Sequence, residues 1–498
     1  MAFLPSPQQE VVFSWITNDK GNAFVQAVAG AGKTTTLING AKKMRGSILL
    51  VAFNKKIAEE LAARISTDPD ITNADAKTFH AIGLAAWNKY IGKFPKINGF
   101  KVSDVMTLVK VDHDYLNFVK KLVSLAKQAN INSLNPASDW MSLVDKHDLA
   151  SDLPGEATVE AGIEFAMDTL IENNKIKDVI DFDDMIYFPV MNKIKMPIQY
   201  DWVLVDEAQD TNPVRREIAK MLCKPNGRMI WVGDKHQAIY GFTGADADAV
   251  DQIVREFQCT ELPLTVTYRC PKNIVSAAKA YVSHIEAHES APDGKVVSVS
   301  QEDFLKNISN LTPKDAILCR KNAPLVKTAY QLIRRGIACQ IEGKSDLGQQ
   351  ILLMLNKWKR VKHLSDFLDK LKDWELAQIQ KQSDDKGIVK KGREMVVEAI
   401  MDRVDVIRAL CEGCPDLACV RTKVQNMFGD LKEGEKPSRV ILSSVHKSKG
   451  REWQNVYILG FGEHMPSKMA KQAWQKEQEK NLIYVAMTRS QSTLTLVG

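Results

Sequence analysis

Two short segments, far apart in the chain, carry the residue types that nucleotide hydrolysis requires. The first, residues 27–34, reads Ala-Val-Ala-Gly-Ala-Gly-Lys-Thr between two apolar runs, and this order predicts a strand, a loop and a helix. Glycines let backbone N–H groups turn inward around phosphate oxygens at a helix N-terminus. Lys33 would reach the terminal phosphates and Thr34 would ligate Mg²⁺. Ala27 replaces the first glycine of the strict pattern, so this motif alone is imperfect. The residues expected to surround the phosphates are Ala29, Gly30, Ala31, Gly32, Lys33, Thr34 and Thr35.

The second segment is an apolar strand that ends in two adjacent carboxylates. Residues 203–210 read Val-Leu-Val-Asp-Glu-Ala-Gln-Asp. Asp206 can hold the Mg²⁺ shell, and Glu207 can orient and deprotonate the attacking water. A Gly/Ala turn and an unrelated acidic strand end would share these letters, but two motifs in the correct context make that the weaker explanation. The sequence therefore predicts a Mg²⁺-dependent nucleoside triphosphatase.

A third strand end carries a glutamine followed by aromatic residues. Residues 231–245 read Trp-Val-Gly-Asp-Lys-His-Gln-Ala-Ile-Tyr-Gly-Phe-Thr-Gly-Ala. Gln237 is placed to contact the γ-phosphate. Tyr240 and Phe242 follow on the same loop and could stack on bases, which is worth ~1–3 kcal/mol per base. From these residues alone, aromatics that simply pack in a core are an equally open alternative.

Length and composition fit a multi-domain soluble enzyme. The 498 residues suggest about three or four domains, and the net charge of +6 mildly favours a polyanionic partner. The longest apolar run, residues 48–53, is too short for a bilayer, and no secretion signal is visible at the N-terminus. The eight cysteines therefore predict reduced thiols in a cytoplasmic protein. A metal site at Cys411, Cys414 and Cys419 lacks an obvious fourth ligand nearby, so buried thiols are favoured there.

Short apolar strands alternate with helical stretches in two separated regions. The expected strands are residues 24–25, 47–53, 202–205 and 229–232 in the first region, and 316–319, 440–443, 456–459 and 493–497 in the second. Helical periodicity dominates residues 91–180 and 346–436. The expected fold class is α/β, with two parallel-sheet cores flanked by helices and a mainly helical insertion in each. The expected boundaries are 1–90 and 181–265 for the first core, 91–180 for its insertion, 266–345 and 437–498 for the second core, and 346–436 for its insertion.

In this order and spacing, the motifs resemble those of superfamily 1A DNA helicases of the UvrD/Rep/PcrA kind, over nearly the whole chain. The resemblance also rests on residues 4–8 (Leu-x-x-x-Gln), 51–55 (Val-Ala-Phe-Asn-Lys), 78–80 (Thr-Phe-His), 181–184 (Asp-Phe-Asp-Asp), 264–269 (Leu-Thr-x-x-Tyr-Arg), 443–453 (Ser-Ser-Val-His-Lys-Ser-Lys-Gly-Arg-Glu-Trp) and 481–489 (Asn-Leu-Ile-Tyr-Val-Ala-Met-Thr-Arg). It implies two RecA-like P-loop NTPase cores that use ATP and Mg²⁺.

The resemblance assigns further roles around the nucleotide. It implies that Gln8 reads adenine, that Tyr268 stacks on adenine and that Glu452 contacts the ribose. It also implies that Arg269 reaches the γ-phosphate and that Arg489 is an arginine finger. Guanidinium groups stabilise charge on a transferring phosphoryl group, so catalysis would require the two cores to close around ATP. The expected catalytic residues are Lys33, Glu207, Gln237, Arg269 and Arg489.

The resemblance further implies a path for single-stranded DNA across both cores. Aromatic side chains would hold bases, while hydroxyl and imidazole groups would bind phosphates. Phe182 could instead be a core residue, and the two histidines depend mostly on the resemblance. The expected DNA contacts are Phe53, Asn54, Thr78, His80, Phe182, Tyr240, Phe242, Ser444 and His446.

The expected function is an ATP-driven translocase on single-stranded DNA that unwinds duplex DNA, by resemblance in the 3′→5′ direction, in replication, recombination or repair. The alternative is a DNA-stimulated ATPase that remodels or strips nucleoprotein with little unwinding; an RNA helicase and a nucleotide-dependent switch are less favoured. We expect a monomer in the cytoplasm of a bacterium or a virus-infected host, with a single-strand-binding or replication/recombination protein as partner. Thr243 and Asn481 depart from the family, which often has basic residues there. Because the chain reaches Gly498 soon after Arg489, we also expect no docking tail and no nuclease domain.

Overall fold

The structure is a computed structural model of the chain. It describes residues 3–147, 149–154, 157–239, 248–335, 337, 339–342, 352–358, 361, 363–384, 387–390, 393–428 and 439–498. Two compact units, Met1–Thr265 and Val266–Gly498, make up the chain. Within the described residues, no helix is both long and apolar enough to cross a membrane.

The first unit is built on a six-stranded parallel sheet with the strand order β3-β2-β6-β7-β1-β8. Its central strands are apolar and almost entirely buried, as a parallel sheet with both faces covered requires. A separate short ribbon pairs β4 with β5. The strands are β1 (Ala23–Ala27), β2 (Ile48–Ala52), β3 (Ala74–Thr78), β4 (Lys96–Ile97), β5 (Val179–Ile180), β6 (Tyr200–Val205), β7 (Cys223–Gly233) and β8 (Thr260–Leu264).

Helices cover this sheet and also fill the chain between β4 and β5. Helix α1 begins with a capping box at Ser6 followed by a proline in its first turn. Helix α6 buries Phe118, Val119 and Leu122 on one face, the spacing of an amphipathic helix. The helices are α1 (Pro7–Asn18), α2 (Lys33–Ala41), α3 (Lys55–Thr67), α4 (Phe79–Ile91), α5 (Lys101–Leu108), α6 (Leu116–Gln128), α7 (Ala137–His147), α8 (Val159–Lys175), α9 (Asp184–Met191), α10 (Pro213–Leu222) and α11 (Ala249–Glu256).

The second unit repeats this plan with a six-stranded parallel sheet in the order β11-β16-β15-β12-β14-β13. The strands are β9 (Val266–Thr267) and β10 (Glu286–Ala287), which form a separate ribbon, and β11 (Lys295–Val299), β12 (Asp315–Cys319), β13 (Cys339–Ile341), β14 (Val440–Ser444), β15 (Trp453–Leu459) and β16 (Ser490–Val497). The helices are α12 (Lys272–Ala278), α13 (Gln301–Asn307), α14 (Asn322–Arg334), α15 (Leu364–Lys381), α16 (Glu394–Cys411), α17 (Leu417–Phe428) and α18 (Ala473–Met487), with residues 352–357 also helical.

The predicted fold class is confirmed, because both units are parallel sheets flanked by helices, as in two RecA-like cores. Of the twelve strands described in the two six-stranded sheets, four were not predicted from the sequence, and all four are sheet edges: β3, β8, β11 and β13. The strands of the two short ribbons, β4, β5, β9 and β10, were not predicted either. The prediction that every cysteine is a free thiol is wrong for one pair. Cys414 and Cys419 form a disulfide, since the turn into α17 brings their Cα atoms within 5.5 Å.

Candidate functional site

The loop after β1 has the backbone conformation that a phosphate cradle needs. Gly30 and Gly32 have φ angles of 75° and 81°, in the left-handed region that glycine adopts without a Cβ penalty. Gly32 is the N-cap of α2 and supplies no capping side chain. The first N–H groups of α2 are therefore left to an external acceptor, as in helix N-termini that bind phosphate.

Four polar side chains converge beside this loop. The Thr34 hydroxyl donates to Asp206 Oδ2 at 3.3 Å, and Lys33 Nζ lies 3.7 Å from Glu207 Oε1. Lys33 and Thr34 begin α2, which follows β1, whereas the two carboxylates follow β6. Both strands are parallel members of one sheet, so their carboxyl ends lie at the same edge. Burial, assisted by the neighbouring Glu207, raises the pKa of Asp206 to about 6.

Thr34 and Asp206 suit a magnesium ion that is shared with phosphate. Among the described residues, no group of three or more His, Cys, Asp or Glu side chains could hold a metal ion by itself. Mg²⁺ in phosphoryl-transfer sites takes only one or two protein ligands and completes its shell with phosphate oxygens and water. A hydroxyl and a carboxylate 3.3 Å apart fit that mode of binding.

Glu207 is held in an unusual backbone conformation and is connected by hydrogen bonds to the loop that follows β7. Its φ is 51°, an uncommon value for a residue with a Cβ, and its N–H donates to Asp206 Oδ1 at 2.8 Å. Its carboxylate accepts a hydrogen bond from Gln209 Nε2. Gln209 Oε1 accepts the N–H of Asp234 at 3.0 Å, and Asp234 Oδ2 accepts from Gln237 Nε2 at 2.8 Å. A continuous hydrogen-bond chain therefore joins Glu207 to Gln237.

Two adjacent glutamines of α1 bond to different elements of the first unit. Gln8 makes paired bonds with Thr265, because Nε2 donates to the hydroxyl and Oε1 accepts from the N–H, each at 2.8 Å. Gln9 is buried and donates to Thr36 Oγ1 at 2.9 Å, and that hydroxyl donates to the Gly32 carbonyl. Gln9 is thus linked to the phosphate loop through the Thr36 hydroxyl, while the contact of Gln8 with adenine stays a prediction.

The second unit fixes Arg269, Glu452 and Arg489 through its own contacts. Arg269 Nε is paired with the Glu452 carboxylate. Arg489 is buried, and its Nε and Nη1 donate to the carbonyls of Val485 and Arg451, both at 3.0 Å. Main-chain acceptors therefore hold the Arg489 guanidinium in place. The roles of these three residues toward ATP stay predictions.

Tyr268, Ser444 and His446 also lie in the second unit. Tyr268 is half-exposed, and its ring centroid is 4.8 Å from that of His288. Ser444 ends β14, and His446 lies in the turn that follows. Burial, together with the positive charge of Arg320, lowers the pKa of His446 to about 3. A neutral imidazole can hydrogen-bond to a phosphate but adds no charge to the contact.

A cavity of about 410 Å³ in the first unit brings Phe53 and His80 together with Arg215. The Arg215 guanidinium lies over the Phe53 ring, 5.0 Å from its centroid. Burial, together with the Arg215 charge, lowers the pKa of His80 to about 4. Phe182 is 61% exposed, and its ring meets His80 edge-on at 6.4 Å. The exposure of Phe182 rules out the core alternative and leaves an aromatic face beside the cavity.

The remaining expected DNA contacts of the first unit are helix caps or lie outside the described residues. Asn54 caps α3 by accepting the Ile57 N–H at 2.9 Å, and Thr78 caps α4 by accepting the Ala81 N–H at 3.2 Å. A cap uses the side-chain oxygen as acceptor, so the Asn54 amide and the Thr78 hydroxyl can still donate to a phosphate. Tyr240 and Phe242, like Thr243, lie in residues 240–247, outside the described residues.

Sequence reasoning missed a buried ion cluster formed by Lys101, Lys127, Asp181 and Asp184. Lys127 Nζ lies 2.7 Å from carboxylate oxygens of both aspartates, and Lys101 Nζ lies 2.7 Å from Asp184. Burial alone would lower the pKa of Lys127, but the two carboxylates outweigh it and raise that pKa. One signal was available, because Lys127 falls four residues after the buried Val123, on the apolar face of α6. Gln209 lies within the quoted segment 203–210 but was given no role, and Arg215 was also missed because no local pattern marks it.

Comparison with known proteins gives matches to both units. The family profile of the UvrD/REP helicase N-terminal domain matches residues 8–258, and that of the UvrD-like helicase C-terminal domain matches residues 327–497. The chain is 23% identical to "ATP-dependent DNA helicase Rep" of Buchnera aphidicola subsp. Acyrthosiphon pisum, over 95% of this chain and 92% of that protein. It is 23% identical to "ATP-dependent DNA helicase UvrD2" of Mycobacterium tuberculosis, over 100% of this chain and 78% of the relative. It is 28% identical to the "Probable DNA helicase II homolog" of Mycoplasma genitalium, over 55% of this chain and 42% of that protein.

Proposed function

The chain belongs to the UvrD/Rep helicase family, and from this premise we propose that it hydrolyses ATP to move along single-stranded DNA in the 3′→5′ direction and to unwind duplex DNA. The observation that carries the proposal is the meeting of Lys33, Thr34, Asp206 and Glu207 beside the left-handed glycines of the phosphate loop. These are the groups that phosphoryl transfer to water requires.

Each of these side chains has a proposed step in hydrolysis. Lys33 binds the terminal phosphates, and Thr34 and Asp206 hold Mg²⁺, which when bound neutralises charge on the phosphate oxygens. Glu207 orients the attacking water and takes its proton, since its backbone N–H is bonded to Asp206 and its carboxylate accepts a hydrogen bond from Gln209. Gln237 contacts the γ-phosphate. On the resemblance alone, Gln8, Tyr268 and Glu452 hold the nucleoside, and Arg269 and Arg489 stabilise the transferring phosphoryl group.

The cavity beside Phe53 and His80 is the proposed DNA contact of the first unit. Its volume is about 410 Å³, and its lining includes an aromatic face, a guanidinium and a neutral imidazole beside the carboxylates of Asp183 and Asp210. The first three groups together can hold a base of any identity. Phe182 offers a second aromatic face at its edge. On the resemblance alone, Asn54, Thr78, Ser444 and His446 contact the backbone, and Tyr240 and Phe242 contact bases.

Wider properties of the chain are proposed from the resemblance. The protein is a monomer in the cytoplasm, and its partner is a single-strand-binding or replication/recombination protein. The chain divides into two cores, with insertions at 91–180 and 346–436.

The test is strand separation on duplexes with a 3′ or a 5′ single-stranded tail, with ATP hydrolysis followed in parallel. We expect unwinding of the 3′-tailed duplex only. Glu207→Gln should bind ATP normally and lose about 10²- to 10⁴-fold in turnover, the contribution of a general base. The exposed Glu59→Gln is the matched control and should behave as wild type.

The outcomes separate the proposals. Unwinding from the 5′ tail would reverse the proposed direction. DNA-stimulated hydrolysis without strand separation would replace unwinding by remodelling of nucleoprotein. Normal hydrolysis by Glu207→Gln would remove Glu207 as the base.

A further inference from the structure

The last turn of α4 and the segment that joins α4 to α5 expose several large apolar side chains. Tyr90 is 52% exposed, Phe94 86%, Ile97 50% and Phe100 72%. Exposed apolar residues are ordinary when they are scattered singly, but a contiguous group marks an interaction site. These four residues, with Lys89, Lys93 and Lys96, are here called the turn patch.

The backbone of the turn patch is fixed by hydrogen bonds. The N–H of Lys96 donates to the Asp178 carbonyl and that of Asn98 to the Ile180 carbonyl, both at 2.8 Å. The N–H of Phe100 donates to Asn98 Oδ1 at 2.9 Å. The segment that carries Phe94, Ile97 and Phe100 is therefore tied down by hydrogen bonds, and a ligand that binds these side chains does not have to order the chain.

The charge of the turn patch favours a nucleic acid over a protein partner. Residues 88–100 contain the three lysines and no aspartate or glutamate. Lys93 lies 3.5 Å from Asp178, but this pair is exposed and so holds the lysine only weakly. Lysine is depleted in protein–protein interfaces, whereas alternating aromatic and cationic side chains suit the bases and phosphates of a single strand. A duplex keeps its base faces stacked inside, where these rings do not reach them.

The turn patch is connected to the proposed DNA contact at Phe182 by the β4–β5 ribbon. In the β4–β5 ribbon, Ile97 pairs with Ile180, which is two residues before Phe182 in the chain. One short ribbon therefore links the exposed rings of the turn patch to the ring beside His80. We propose that the turn patch is a second contact for single-stranded DNA, which holds nucleotides beyond those in the Phe53–His80 cavity. This inference rests on the proposed function, since it extends the same strand.

The experiment measures affinity for oligothymidylates of about 8 and about 25 nucleotides, a short one that fits a single site and a long one that spans both. Phe94→Ala/Phe100→Ala should bind the long strand about tenfold more weakly, which is ~1.4 kcal/mol, and the short strand as wild type does. Lys93→Gln/Lys96→Gln should lower the salt dependence of long-strand affinity by about 0.7 per lost phosphate contact. Leu134→Ala, with a side chain 92% exposed, and Lys120→Gln are the matched controls.

Each outcome bears on a different claim. Equal affinity of the aromatic variant and the wild type for the long strand would overturn the inference. So would an equal loss for both strand lengths, because the turn patch would then act on the first contact. If the aromatic variant lost as much affinity for a duplex competitor as for the long single strand, the single-strand assignment would be overturned. A wild type that binds neither oligonucleotide would refute the proposed function instead.

Discussion

Replacing Gln209 should slow ATP hydrolysis while leaving ATP binding intact. Its amide donates to the Glu207 carboxylate, and its oxygen accepts the Asp234 N–H at 3.0 Å. The side chain is completely buried, and a Cβ at Gly233 would lie 2.6 Å from its oxygen. Gln209 is therefore a positioning residue for the proposed base, held in a slot that admits one orientation.

The expected size follows from the two bonds. A hydrogen bond to a charged group contributes ~1.5–3 kcal/mol, and a buried N–H left without an acceptor costs about 1–3 kcal/mol. Gln209→Met keeps the side-chain volume and loses both bonds, so we expect about 3 kcal/mol less stability of the first unit. Since a general base contributes about 10²- to 10⁴-fold, a base that is present but poorly held should lose about ten- to hundredfold in kcat.

The assay is steady-state ATP hydrolysis with and without single-stranded DNA, at a temperature where each variant is folded. Gln209→Glu keeps the acceptor for Asp234 but places a second carboxylate against Glu207, so its kcat should fall further than that of Gln209→Met. KM for ATP should change little in both. Gln475→Met is the matched control, because Gln475 is also buried and accepts the N–H groups of Lys471 and Gln472.

Two results would refute this reasoning. Wild-type kcat in folded Gln209→Met would show that Glu207 keeps its position without the amide. An equal fall of kcat in Gln475→Met would show that loss of stability, and not the contact with Glu207, is the cause.

Two further predictions concern buried charge. Lys127→Met leaves Asp181 and Asp184 without one of their cations, so the free energy of unfolding of the first unit in urea should fall by about 3–5 kcal/mol. Lys120→Met, on the exposed face of α6, should leave that free energy unchanged. A fall below ~1 kcal/mol in Lys127→Met would contradict this prediction. The pKa of His80 is about 4 when folded and near 6.5 when unfolded, so only the unfolded chain takes up the proton between these values. The free energy of unfolding of the first unit should therefore fall by up to about 3 kcal/mol as the pH is lowered from 6.5 to 4. His80→Gln should flatten that decline, whereas the exposed His113→Gln should not.

The strands that the sequence predicts are the interior ones. β1, β2 and β6 are almost entirely buried, so each contains a run of apolar residues. The edge strands β3 and β11, Ala-Asp-Ala-Lys-Thr and Lys-Val-Val-Ser-Val, are half-exposed, and polar or charged residues interrupt their apolar residues. Edge strands commonly carry charge because it discourages pairing with other chains. The feature that protects a sheet edge also hides it from a search for apolar runs.

In the candidate site, too, features set by neighbouring residues are predictable from the sequence, whereas contacts between distant residues are not. The phosphate loop is predictable because Gly30 and Gly32 set its backbone within a few residues of Lys33. Gln209 lies within a quoted motif, yet its importance depends on meeting Asp234 from the neighbouring strand. The Arg215 contact with Phe53 joins α10 to the end of β2, a pairing that only the folded sheet creates.

The buried ion cluster explains why Phe182 projects into solvent. Asp181 and Asp184 bond each other reciprocally, each carboxylate accepting the other's N–H at 2.7 and 3.2 Å, and both are drawn inward by Lys127, while Lys101 also holds Asp184. Because its neighbours are fixed inside, the side chain of Phe182 is directed outward, where it is 61% exposed. Buried ion pairs often stabilise less than apolar residues of the same volume would, so stability alone does not explain the cluster. Its effect on geometry does, since α5 and α6 supply the lysines and thereby hold the proposed DNA-contact segment in one conformation.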